Sequence, residues 1–183
     1  MLHSTQKNET MKKLISNSII LLLLISFIKL NAQSESIIVK VSDNSFLIND
    51  AEIVFPTDLA TIEKILNKSD RITKTKYSEI VSWDSLGITA YKSKNSEEIK
   101  TIHFDFEIER FDFSPKNKFN GKVLINSLEM SNDSTKEDLN KIGFGADPIE
   151  IMIYDLVLDK IYMTYQLKNL TQGFRNLEIG MEY

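Results

Sequence analysis

Leu47-Ile48-Asn49-Asp50-Ala51-Glu52 and, 77 positions later, Leu124-Ile125-Asn126-Ser127-Leu128-Glu129 are two versions of one pattern. Each puts two apolar residues before an Asn-led pair and an acid after it. Asn and Asp tolerate positive φ, so such a pair between two short apolar runs predicts a hairpin turn. The same shift aligns Ile53 with Met130, Thr57 with Ser134, Ile62 with Leu139, and Lys64-Ile65 with Lys141-Ile142. A slightly shorter shift aligns Glu79-Ile80 with Glu150-Ile151 and Trp83-Asp84 with Tyr154-Asp155. Turn formers, caps and core positions are what two copies of one unit share.

Outward from these turns the elements follow. Residues 37–41, 45–48 and 51–55 are β-branched or alternating and predict three strands. Pro56 ends that run. Asp58 or Thr57 caps a helix to Leu66, with Leu59, Ile62, Ile65 and Leu66 on one face. Residues 68–76 are polar and predict a loop. Strands are expected over 79–83, 88–91 and 99–108, then an irregular stretch over 111–120 with a turn signal at Ser114-Pro115-Lys116-Asn117. The second half predicts strands at 122–125 and 128–130. A short helix follows, opened by a Ser134…Glu137 capping box and ended at Gly143. A hairpin over 150–154 and 160–167 comes next, and a last strand over 177–182. The expectation is an α+β domain with a mainly antiparallel sheet, two short helices and duplicated β-β-α-β-β units. The half-repeats would span about 36–110 and 119–183 of a single domain over 33–183. Each helix should cover its half of one sheet or of two packed sheets.

Residues 1–32 read as an address. Met11-Lys12-Lys13 is a positive start, Ile19 to Phe27-Ile28 is a ten-residue apolar run, and Ala32 is a small residue before Gln33. That order is signal-peptide grammar and predicts cleavage after Ala32, with Met11 a candidate initiator. Residues 14–30 are at the lower limit for a membrane span and contain Ser16, Asn17, Ser18 and Lys29. The expected destination is the periplasm or the cell exterior, with no stable membrane span after cleavage.

The whole chain is 42% hydrophobic and 26% charged, which is too apolar for intrinsic disorder. Its net charge of −4 becomes −7 without residues 1–32, because those carry four lysines (Lys7, Lys12, Lys13, Lys29) and the single acid Glu9. An acidic domain with dispersed lysines repels phosphate backbones, so nucleic acid is not an expected partner. The chain has no cysteine, which excludes disulfides, thiolate metal sites and cysteine nucleophiles.

Chemistry-bearing residues are few. His103 is the one histidine after the leader, and it alternates with Asp105, Glu107 and Glu109 on one strand face opposite Ile102, Phe104, Phe106 and Ile108. That face is a candidate interaction surface for a basic partner, or simply the wet side of a half-buried strand. Asp84 and Asp155 each follow an aromatic, Trp83 and Tyr154. They are candidate cleft residues if the carboxylates meet, and turn residues if they do not. Gly143-Phe144-Gly145 lacks the lysine of a phosphate loop, and no Gly-x-Ser-x-Gly elbow occurs. No catalytic, metal or cofactor residues are assigned.

Trp83-Asp84-Ser85-Leu86-Gly87-Ile88-Thr89-Ala90-Tyr91, with Phe119-Asn120-Gly121-Lys122-Val123-Leu124-Ile125-Asn126 downstream, resembles a domain-of-unknown-function family of exported bacterial proteins of Bacteroidota type. The resemblance covers roughly residues 36–143. Its motifs are turns and strands, so it implies a fold and an address but transfers no site residues. Two-copy β/α layouts also occur in secreted inhibitors that bind enzymes, a likeness of architecture alone. Three functions are therefore in play. The first is an exported non-catalytic binding protein, with an envelope or secreted protein as partner. The second is a carboxylate-dependent hydrolase of an envelope or extracellular polymer. The third is a structural envelope component.

Overall fold

A computed structural model describes residues 36–43, 45–108, 111–131, 133–143, 145–146, 153–158, 161–167 and 174–181. The leader and Glu109 lie outside the described residues, as does the Tyr154 side chain. The described residues of 36–183 form two sheets and two short helices, and none of these helices is long and apolar enough to cross a membrane.

The smaller sheet is mixed. Its centre is β1 (Ile38–Ser42), antiparallel to β2 (Ser45–Ile48) on one side and parallel to β9 (Lys122–Ile125) on the other. The edges are β3 (Ala51–Glu52) and β10 (Leu128–Met130), giving the order β10-β9-β1-β2-β3. Both Asn-led turns have the expected geometry. Asn49 and Asp50 have φ of 51° and 63°, and Asn126 and Ser127 have 46° and 71°. Paired positive φ values match the twist of the flanking strands, which is why Asn and Asp stand there. The Asn49 carboxamide oxygen also accepts from the Ile38 amide at 2.9 Å, tying the turn to the start of β1.

The larger sheet is antiparallel. Its path runs β11 (Gly145–Ala146), β12 (Ile153–Leu158), β13 (Ile161–Leu167), β14 (Phe174–Met181), β8 (Glu98–Asp105), β7 (Ile88–Ser93), β6 (Ser78–Trp83), β5 (Arg71–Lys74). A short β4 (Thr57–Asp58) pairs with the start of β8. The central junction joins β8 and β14, the last strands of the two halves. Each half therefore runs hairpin, helix, then four consecutive strands. The first is β2-β3, α1 (Leu59–Leu66) and β5 to β8, and the second is β9-β10, α2 (Lys136–Lys141) and β11 to β14. The caps keep the 77-residue shift: Asp58 accepts from the Thr61 amide at 2.7 Å, and Thr135 accepts from that of Asp138.

One apolar cluster joins both sheets and both helices. Val39, Val41, Phe46, Ile48, Val123 and Ile125 from the small sheet meet Ala90, Ile102, Phe104, Met163, Tyr165, Leu177 and Ile179 from the large one, with Ile62, Leu66 and Leu139 from the helices. Phe46 meets Phe104 edge-on at 6.5 Å, and Phe119 sits between Phe104 and Phe106 at 5.1 and 5.3 Å. Trp83 is 1% exposed, and its indole donates to the Asn67 carbonyl at the end of α1 at 2.8 Å. It is a core residue, and its one polar atom is satisfied.

Three expectations are corrected. The polar stretch 68–76 contains β5, a strand at the sheet's edge. The second helix is capped by Thr135 with Asp138, not by Ser134 with Glu137, since Asp138 occupies the third helical position and reaches back to the Thr135 amide at 3.0 Å. The long strand ends at Asp105 rather than Ile108, because the amides of Phe106 and Glu107 both turn to the Arg175 carbonyl.

The polar face of the large sheet, a candidate functional site

The strand register lays one row of side chains across the face of the large sheet that points away from the shared core. It reads Arg71, Ser82, Thr89, His103, Glu178, Thr164, Asp155, with Gly145 at its end. Successive side chains on a strand alternate faces, so these positions share a side while Val81, Ala90, Ile102, Ile179 and Met163 point into the core. The neighbouring row holds Thr73, Ile80, Tyr91, Thr101, Gly180, Tyr162 and Val157. Thus His103 lies where alternation placed it, but it is not open to water. Its side chain is 18% exposed, with the Tyr91 ring centroid 4.5 Å away and a Glu178 oxygen 3.6 Å from Nε2. Burial lowers its pKa to about 4, so the imidazole is neutral at physiological pH.

Glu178 and Asp155 are the acids of this row. Burial raises the Glu178 pKa above the ordinary carboxylate value, and the nearby Asp155 charge adds to the rise. Asp155 accepts from the Tyr162 hydroxyl at 3.2 Å and the Thr164 hydroxyl at 2.9 Å, and those two hydroxyls also touch each other. Burial likewise raises the Tyr162 phenol above its usual range. Asn176 donates to Gln166 at 3.2 Å one row away. Asp105 is half-buried at the end of β8, and Glu107 lies just past it. Of the expected acidic strand, His103 and Asp105 share the strand's outward face. Glu107 follows the strand, and Glu109 is outside the described residues.

Asp84 does different work. It sits in the turn after β6, 6% exposed, and both its oxygens accept from Arg71 Nε at 3.1 and 3.2 Å. Burial alone would raise its pKa, but Arg71 and Lys116 hold it below the ordinary value. Arg71 then donates to the carbonyls of Asp112 (2.8 Å) and Ser114 (2.6 Å), and Ser82 donates to that of Phe113 (3.3 Å). The Asn117 amide donates to the Asp84 carbonyl at 3.0 Å. A cavity of about 420 Å³ lined by Asp70, Arg71, Asp84, Ser85, Lys116 and Asn117 lies here, and its central charges are spent on each other. The unit is an anchor that straps residues 112–117 onto the first half of the polar face.

Asp84 and Asp155 are not brought together. Five inter-strand steps separate β6 from β12, roughly 24 Å at about 4.8 Å each. The rows place Asp155 opposite Ser82 in the other half, not opposite Asp84, and Asp155 lies inside a strand rather than in a turn. Two carboxylates so far apart cannot share one substrate bond. Among the described residues no group of three histidine or acidic side chains is placed to hold a metal ion. Sequence reasoning missed Arg71, Tyr91, Tyr162, Thr164 and Glu178. Glu178 between Leu177 and Ile179 carried the alternation signal, but its meeting with His103 depends on pairing across 75 residues of chain.

A family model described as a domain of unknown function (DUF7738) matches residues 38–140, from β1 into α2. No curated protein and no solved structure matches the chain.

Proposed function

This chain belongs to the DUF7738 family, and on that footing we propose that it is an exported, non-catalytic binding protein that engages its partner through the polar face of the large sheet. Export rests on the charge, apolar run and small residue of positions 11–32, in the order a secretion signal requires. The observation that carries the binding role is the row from His103 through Glu178 and Thr164 to Asp155. It is a strip of hydrogen-bonding groups on one face of a rigid sheet, half-buried yet polar. An enzyme reading has less support, since the two candidate carboxylates Asp84 and Asp155 are not brought together and the sequence carries no Gly-x-Ser-x-Gly elbow. The partner expected is an acidic-surface binder, that is, another envelope or secreted protein with basic groups, and not nucleic acid.

The test is capture by the mature chain immobilised in parallel with Thr101→Arg/Gln166→Arg, a variant that crowds the face with two long side chains and leaves the carboxylates in place. Mass spectrometry of envelope and culture-supernatant extracts should find at least one protein held by the wild type and released by the variant. Identical captures by both would remove the face from the binding role.

A further inference from the structure

We propose that the second half of the polar face, around Asp155, Val157, Tyr162, Thr164 and Glu178, docks an extended segment of a partner protein carrying lysine or arginine side chains. This rests on the reading of the face as a binding surface and says which part of it binds, and what.

The first half of the molecule supplies the template. There, side chains of β5 and β6 hold a passing segment by its backbone. Arg71 donates to the carbonyls of Asp112 and Ser114, and Ser82 to the carbonyl between them. The sheet order makes β12 and β13 the counterparts of β6 and β7 about the β8–β14 junction. The rows then set Thr164 where the first half has Thr89, and Asp155 where it has Ser82. The framework is repeated, but a donor has become a charged acceptor. A segment lying across the second half must therefore bring donors of its own.

Charge points the same way. Asp155 bonds to Tyr162 and Thr164, and Glu178 faces the neutral His103; no lysine or arginine among the described residues pairs with either acid. Elsewhere Asp84, Glu79, Asp138 and Asp50 each have a cation within 4 Å, and Asp58 and Glu63 accept from the Thr61 and Ser69 amides instead. Next to Asp155 on the same face, Val157 is 45% exposed and pairs with Tyr162. An apolar shelf beside two carboxylates suits the methylene stem and cationic head of a long basic side chain better than a hydrated inorganic ion.

The probe is a fluorescein-labelled hexalysine peptide titrated into the mature chain by fluorescence anisotropy, with spermine as competitor. Expected are saturable binding that weakens as salt rises, and a Kd about tenfold higher in Asp155→Asn/Glu178→Gln. Glu52→Gln/Glu129→Gln removes the same charge from the outer face of the small sheet and should leave the Kd within about twofold. If the Asp155/Glu178 variant melts early, amide shifts on the wild-type chain replace it. Hexalysine should then perturb residues 155–164 and 178, not 47–52. No binding, equal weakening in both double variants, or spermine competing as well as unlabelled peptide of equal charge would each overturn the proposal. If capture by the mature chain still depends on Thr101 and Gln166 while hexalysine fails, the docking strip is wrong and the binding face stands. Capture indifferent to those residues removes the face itself.

Discussion

His103 and Glu178 titrate in opposite directions, and the sign of each has a consequence. The folded chain holds the His103 pKa at about 4 against an ordinary 6.5. Between those values the unfolded chain binds a proton that the folded chain refuses, so stability falls as pH drops through this window, by at most about 1.4 kcal/mol per pH unit. Glu178 has a raised folded pKa, so its contribution is full below its ordinary value of 4.5 and is lost as pH rises through the folded value. The two opposing slopes overlap, and removing the imidazole separates them. Thermal melts at pH 7 and pH 5 should show a smaller loss of Tm in His103→Gln than in the wild type. Equal losses would mean the imidazole is solvated and takes its proton normally. The alternation Ile102-His103-Phe104 was enough to orient this side chain in advance. Its burial was not legible, because it comes from Tyr91 and Glu178 on the two neighbouring strands.

The turns show how far local chemistry fixes an element and where packing takes over. Gly87 closes the β6–β7 turn with φ of 69°, and a Cβ there would lie 2.1 Å from the Phe119 amide nitrogen. Gly143, after α2, has φ of 89°, but a Cβ would meet nothing nearer than a Leu156 methyl at 3.7 Å. Both alanine variants carry left-handed strain, roughly 1–2 kcal/mol. Only Gly87→Ala must also push the backbone at Phe119, and with it the edge-to-face Phe104–Phe119–Phe106 rings. Urea unfolding should therefore show Gly87→Ala losing on the order of 3 kcal/mol or more and Gly143→Ala about half that or less. Similar losses would mean that the close approach of Phe119 relaxes freely. The same contrast governs what could be read beforehand. The Asn49-Asp50 and Asn126-Ser127 turns and the Asp58 cap are chemistry within a few residues, and each has its expected place. Arg71-Ile72-Thr73-Lys74 has one apolar side chain in four, so nothing local marks it as a strand. It becomes one because β6 offers it a ladder and Asp84 pairs with Arg71. Ser134 and Thr135 are both good caps, and a one-residue choice between them is decided by where Asp138 lands.

At the scale of the molecule, the boundary of the family match and the boundary of the fold do not coincide. The match runs from residue 38 to residue 140, while the sheet that carries the polar face is closed by β14 lying between β8 and β13. Residues 36–143 alone would leave β8 with β7 on one side and, on the other, only β4 at Glu98 and Ile99, with the ladder unpaired where Asn176 to Gly180 now pair with Thr101 to Asp105. The core would also lose Met163, Tyr165, Leu177 and Ile179, all fully buried against the same cluster as Phe46 and Phe104. Each such side chain contributes about 1.5–3 kcal/mol of burial, so four together are comparable to the whole stability margin of a small domain. A long apolar edge strand over an opened core also invites pairing between chains. We therefore expect the 36–143 fragment to show no cooperative thermal transition and to associate in gel filtration, while 33–183 melts in one step. The small sheet gives the fragment its best chance, because β1, β2, β3, β9 and β10 are all retained. But its inner face, Val39, Val41, Phe46, Ile48, Val123 and Ile125, packs on the large sheet, and half of that sheet would be gone. A monomeric fragment with a sharp melt would show that the first half buries this face with β5 to β8 alone, and that the second half is an added unit rather than half of the fold.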